Sequence, residues 1–158
     1  PGFTAGLAGW LSSASGYPVG IAADGERLEG GRAYLAPDGW HLAVTRDLRV
    51  QLSLGAPEHG MRPSVSHLFR ALHPELRGAA VAVLLTGMGK DGAAELKGLR
   101  DDGALTIVQD RASSAVYGMP GEAIRLDAAM LVLEPSEIGK LLHGLAANPA
   151  PGTSDFGI

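Results

Sequence analysis

The run from Val81 to Asp110, VAVLLTGMGKDGAAELKGLRDDGALTIVQD, constrains this chain more than any other stretch. It opens on Val81-Ala82-Val83-Leu84-Leu85, too short to span a membrane and suited to a buried strand. A glycine-rich corner comes next, Gly87-Met88-Gly89-Lys90-Asp91-Gly92. The helical stretch that follows carries Leu96 and Leu99 on one side and stops at Asp101-Asp102-Gly103. Ala104-Leu105-Thr106-Ile107-Val108 is then a second buried strand. Strand, helix and strand in this order form a β-α-β unit with a parallel crossover. Ligands and chemistry gather at the carboxyl ends of such strands, where the corner sits.

The remaining sequence fits around that unit. With 158 residues the chain suits one domain, long enough to bury roughly two thirds of its unfolded surface. Hydrophobic residues make up 46%, more than a disordered chain carries. No apolar run approaches the ~20 residues of a membrane helix, so no membrane insertion is expected. A net charge of −4 with no basic stripe argues against a nucleic-acid partner. The lack of cysteine excludes disulfides, thiol catalysis and thiolate metal sites, and it fits a reducing, cytoplasmic setting. No targeting segment opens the chain. It begins at Pro1 and not Met, and is expected to be a fragment or a processed product.

Before the unit, Thr4 is placed to cap a helix carrying Leu7, Trp10, Leu11 and Ala14, which Gly16 ends. Pro18 to Ala22 is a short strand, and Asp24-Gly25 a turn. Arg32 to Ala36, Trp40 to Thr45 and Arg49 to Leu54 read as three strands of an antiparallel ribbon. Pro63-Ser64 starts a helix through Val65, Leu68, Phe69 and Leu72, closed or kinked at His73-Pro74. After the unit come a loop, Arg111 to Gly118, and a short helix at Met119 to Ile124 begun by Pro120. Met130 to Leu133 is a buried strand, and Ser136 is placed to cap a last helix through Ile138, Leu141, Leu142 and Leu145. Asn148 to Ile158 is expected to be a flexible tail following a domain of residues 1–147. The fold class is therefore α/β: a doubly wound, mostly parallel sheet with helices on both faces and an attached antiparallel ribbon.

The corner admits three readings. Gly87, Gly89 and Gly92 spell G-x-G-x-x-G between a strand and a helix, with Asp110 ending the next strand, as in a dinucleotide-binding fold. Asp91 opposes that reading, because it sits where the pyrophosphate must lie. A carboxylate ~5 Å from a phosphate charge costs about 3 kcal/mol at an effective dielectric near 20, whereas a helix terminus returns about 0.3–1 kcal/mol. Lys90 followed by Asp91 also excludes a Walker loop. In the second reading Asp91 is only a helix N-cap, worth about 1 kcal/mol. In the third, Asp91 orients a histidine that deprotonates a serine, while glycines let backbone N–H groups face a developing oxyanion.

Longer motifs bear on that choice. LLTGMGKDGA and TIVQDRASSAVYGMPGEAI, with PGFT, DGERLEGGRAYLAPDGWH and RPSV, resemble the catalytic domain of the bacterial chemotaxis receptor methylesterases, protein-glutamate methylesterase/glutaminase. The resemblance runs from Pro1 to about Leu142. It implies hydrolysis of glutamate methyl esters, and deamidation of glutamines, on chemoreceptor helices through a Ser-His-Asp triad without a cofactor. Asp91 matches the triad acid, and the backbone N–H of Met88 the oxyanion donor. The family's serine and histidine fall before Pro1, as does a regulatory receiver domain, so residues 1–158 alone are expected to be inactive. The alternatives are a non-catalytic binding module of the same fold and, less favoured, the dinucleotide binder.

Other candidates have local explanations. Ser64 and His67 stand at i, i+3, close enough for contact, although a solvated helix position explains His67. His41 in a strand and His143 in the last helix are ordinary placements, while His59 beside Gly60 is the most mobile histidine. Ser113 and Ser114 are expected near the corner, touching substrate or capping their loop. No H-x-x-x-H spacing occurs, and no metal site is expected.

Overall fold

The computed structural model describes residues 3–147. Contacts divide the chain into two compact units, with the division between His73 and Pro74. The stretch Asn148 to Ile158, read from the sequence as a tail, lies outside the described residues.

In the first unit, helix α1 (Phe3–Ser15) half-buries Leu7 and Leu11 of the expected face but is most deeply buried at small residues beside them. Thr4 is within the helix and not at its cap, and it is buried together with Ala8. The Thr4 hydroxyl donates to Asp38. One turn beyond Ala8, the Ser12 hydroxyl donates to the Val19 carbonyl at 3.1 Å and accepts from the Val19 N–H at 3.0 Å. Small side chains at i, i+4 and i+8 let the helix approach backbone closely, whereas Trp10 of the apolar stripe is 65% exposed. Gly16, at φ +68, ends the helix as expected.

Strands β1 (Val19–Ile21) and β2 (Ala33–Leu35) pair in parallel, and only β3 (His41–Val44) and β4 (Val50–Ser53) form the antiparallel ribbon. Residues 25–28 are the reason. They run beside β4, with bonds Gly25 N–H to Val50 O at 2.9 Å, Val50 N–H to Glu26 O at 2.8 Å and Leu28 N–H to Leu48 O at 2.8 Å. The ribbon's third member is thus this stretch, and the chain returns as β2 alongside β1. Ala22, Leu42 and Val50 form the core here, with Leu28, Tyr34, Leu52 and Leu68 packed against them. Helix α2 (Val65–Ala71) starts where the sequence places it, since Ser64 Oγ accepts the His67 N–H at 3.1 Å.

The second unit contains α3 (Pro74–Arg77), β5 (Val81–Leu84), α4 (Ala93–Asp101), β6 (Leu105–Gln109), α5 (Met119–Arg125), β7 (Leu131–Leu133) and α6 (Pro135–Ala147). The strands form a parallel sheet in the order β5-β6-β7. Burial on both faces, expected of β5, belongs to the central strand β6, where Thr106 through Gln109 are all buried. Val81 of β5 is 39% exposed, and Met130 and Val132 beside and within β7 are also exposed. Helix α4 buries Ala93, Leu96 and Leu99, as its spacing predicts. The cap of α6 is Glu134 and not Ser136, because the Glu134 carbonyl accepts the N–H groups of Glu137 and Ile138, both at 3.0 Å. The α/β class, with mostly parallel strands and an antiparallel pair, holds.

Leu96 is fully buried between α4 and the sheet's parallel pair. Leu96→Ala is expected to lower stability by about 3 kcal/mol, seen as a reduced urea midpoint at unchanged slope.

Candidate active site

Past Leu84 the chain leaves the sheet and is stitched, residue by residue, to the loop before α5. The Thr86 N–H donates to Gln109 Oε1 at 2.7 Å, and the Thr86 hydroxyl both donates to the Val116 carbonyl and accepts from its N–H, each at 2.9 Å. The Gly87 N–H donates to the Val116 carbonyl at 3.1 Å. In return the Gly87 carbonyl accepts from Gly118 N–H at 3.1 Å and Met119 N–H at 2.9 Å. Gln109 completes the lacing through Nε2, which donates to the carbonyl and hydroxyl oxygens of Ser113 at 3.0 and 3.1 Å. A polar amide ending an apolar strand, Gln109, is the sequence signal for this role, and hydrophobic periodicity does not register it.

This lacing explains the glycines. A Cβ on Gly118 would lie 2.8 Å from both Gly87 O and Gly89 N, and one on Gly87 would lie 2.3 Å from Met119 Sδ. The space beside the turn is therefore filled by the chain's own backbone, where a dinucleotide fold leaves room for pyrophosphate. Asp110, the ribose ligand in that reading, accepts instead from the Ser113 N–H at 3.1 Å and from the Ser113 hydroxyl. The Ser114 hydroxyl donates to the Asp110 carbonyl at 2.6 Å. Both serines close their own loop, the second of the two roles expected of them.

Asp91 is 4% exposed and immediately precedes Gly92, which occupies the N-cap of α4 at φ +80. The capping reading of Asp91 is thus displaced by one residue: the helix begins on a glycine, without a side-chain cap. On the other side of Gly89 (φ +84), the Met88 side chain is 85% exposed. Among the described residues none accepts a hydrogen bond from the Met88 backbone N–H.

Four of the five histidines separate into two groups. His59 is exposed at φ +51 in the turn Glu58–Met61, and His143 is exposed on α6. His41 and His67 come together, their rings stacked at 4.3 Å between centroids and 16° between planes. His41 is fully buried, and its Nε2 lies 3.0 Å from the Ala56 carbonyl. His67 is half-buried and not solvated: its Nδ1 lies 3.2 Å from Glu58 Oε1, to which the Arg70 guanidinium also bonds. Arg70 first, and His67 after it, hold the Glu58 carboxyl below the ordinary carboxylate range against the opposing effect of burial. Ser64 Oγ caps α2 through the His67 backbone while the His67 ring engages Glu58, so these residues do not build a nucleophile and base. No sequence pattern pointed to Glu58.

Residues 1–142 match the sequence model of the family described as CheB methylesterase. The chain belongs to the CheB methylesterase family. A protein-glutamate methylesterase/protein-glutamine glutaminase of Methanospirillum hungatei is 52% identical over 146 residues, 92% of this chain and 42% of that protein. One from Syntrophus aciditrophicus is 51% identical over 150 residues, 95% of this chain and 43% of that protein. The chain thus spans less than half the length of these curated relatives. The crystal structure of the Thermotoga maritima CheB methylesterase catalytic domain superposes with a TM-score of 0.87 at 32% identity, covering 92% of this chain and 78% of that one.

In this CheB methylesterase family member the corner depends on close backbone approach at Gly118. Gly118→Ala is expected to destabilise the chain by about 3 kcal/mol in urea unfolding, because the added methyl meets backbone that has no rotamer to yield. An unchanged midpoint would show that the loop relaxes at no cost.

Proposed function

We propose that this chain is the catalytic part of a carboxylic-ester hydrolase that removes methyl groups from glutamate esters, and deamidates glutamines, on chemoreceptor helices in the cytoplasm. Asp91 is the orienting acid of a Ser-His-Asp triad, and the Met88 N–H is an oxyanion donor. The serine and histidine of that triad come, on this reading, from sequence N-terminal to Pro1, and a receiver domain regulates the site. The observation that supports it most is the buried Asp91 carboxylate behind a glycine turn whose Met88 N–H has no acceptor among the described residues.

The chemistry follows from those groups. The serine Oγ attacks the ester carbonyl carbon as histidine takes its proton, and the carbonyl oxygen becomes an oxyanion facing the Met88 N–H. Collapse expels methoxide, which leaves as methanol with the proton returned by histidine. Water, deprotonated by the same histidine, then hydrolyses the acyl-enzyme and regenerates the serine. Asp91 contributes by holding the imidazole in the right tautomer and stabilising its cation. No cofactor enters any step. No described helix is long and apolar enough to cross a membrane, which is compatible with a substrate met at receptor helices outside the bilayer.

Methanol release from methylated receptor by the full-length protein tests the assignment. Asp91→Asn is expected to reduce kcat by about 10⁴ with the fold intact, the size of effect seen when a triad's orienting acid loses its charge. Turnover at the unaltered rate would remove Asp91 from the mechanism. Residues 1–158 alone are expected to release no methanol, because removing a triad's nucleophile and base leaves only binding and oxyanion stabilisation.

A further inference from the structure

We propose that His41, His67 and Glu58 form a binding site for a divalent transition cation of the zinc type. The three residues come from strand β3, helix α2 and the turn at 58–61, and one ligand atom from each lies within 4.8 Å of the others. None of them belongs to the Asp91 corner, and the inference does not rest on the esterase reading.

His41 is the anchor. Its ring is 0% exposed, and Nε2 faces a carbonyl, which only accepts, so the ring proton resides on Nε2. Nδ1 is then a bare lone pair, buried and without a hydrogen-bond partner among the described residues. An unsatisfied buried nitrogen is destabilising, and stacking on His67 does nothing to satisfy it. A cation does. An imidazole whose other nitrogen donates to a backbone carbonyl is also the usual outer arrangement of a metal-bound histidine.

The other two groups complete a donor set. Glu58 brings the negative charge, and Arg70 orients it while leaving acceptor capacity, since a carboxylate offers about four lone-pair sites. Two imidazoles and one carboxylate suit zinc and its neighbours and not magnesium or calcium, and they leave a fourth position for water. Bonds of about 2.0–2.2 Å place tetrahedral ligands roughly 3.3–3.6 Å apart, so the cluster must close by about 1 Å. His67, half-buried on α2, is the member with room to turn. A bound cation ties the ribbon, the 58–61 turn and α2 together and stabilises the first unit.

The test is titration of the metal-stripped 158-residue chain with Zn²⁺, read by calorimetry and thermal unfolding. One ion per chain is expected, with a Tm rise of about 5 °C near a hundredfold excess over Kd, and no rise with Mg²⁺. Co²⁺ in the same site should give the visible absorption of a tetrahedral complex. His67→Ala should weaken Zn²⁺ binding roughly a hundredfold, and His67→Cys, which keeps a ligand, should restore much of it. Glu58→Gln is the second variant if His67→Ala fails to fold, and should weaken binding at least about tenfold. Absence of binding in the unaltered chain, or equal binding by these variants through His59, His73 or His143, overturns the proposal.

Discussion

The Gly87 carbonyl accepts two hydrogen bonds, from the N–H groups of Gly118 and Met119, and this pair fixes the turn after β5 against the start of α5. Both contacts need backbone to meet backbone at distances that no Cβ on residue 118 would allow. Once they form, the turn between β5 and α4 has few alternatives. Thr86 and Gln109 close it from below, and two left-handed glycines, Gly89 and Gly92, reverse the chain around Lys90 and Asp91. Met88 is thereby exposed and Asp91 buried. The close approach and the disposition of the candidate site are one structural fact.

Features set by local chemistry were legible in the sequence. Leu96 and Leu99 share a buried face because three residues is nearly one helical turn, and Gly103 ends α4 because its φ of +93 suits little else. Pro120 at the start of α5 and Ser64 at the cap of α2 belong with them. Apart from cap positions displaced by a residue or two, what failed depended on contacts distant in sequence. The inward face of α1 includes Thr4, Ala8 and Ser12 beside half-buried Leu7 and Leu11, because close packing against backbone favours small side chains, a preference that an apolar count misses. The ribbon's third member is 25–28 and not β2, because pairing was settled by which backbone reached β4. At the corner, the capping reading of Asp91, one of three, is displaced by one residue to Gly92.

The histidine cluster was illegible for a related reason. Metal-ligand spacing is recognised when ligands share one helix or one turn, and here they come from a strand, a turn and a helix. His41 is an ordinary strand residue by sequence, and only the fold reveals that its ring is buried against His67 with one nitrogen committed to Ala56. Burial of a titratable ring is informative only when its partners are known, and those were set by the path of residues 54–62.

Asp91 invites the same scrutiny from the opposite direction. Burying a carboxylate costs several kcal/mol unless other groups compensate, and the adjacent start of α4 offers about 0.3–1 kcal/mol of favourable dipole. Had Asp91 been the N-cap, helix formation would account for its presence. With Gly92 in that position, Asp91 is one residue outside the cap. The glycines have their own reasons: Gly118 serves the close backbone approach, and Gly89 and Gly92 the left-handed turn. Asp91 is not without a partner in the fold, and the proposed role as orienting acid is compatible with a carboxylate held in such a place.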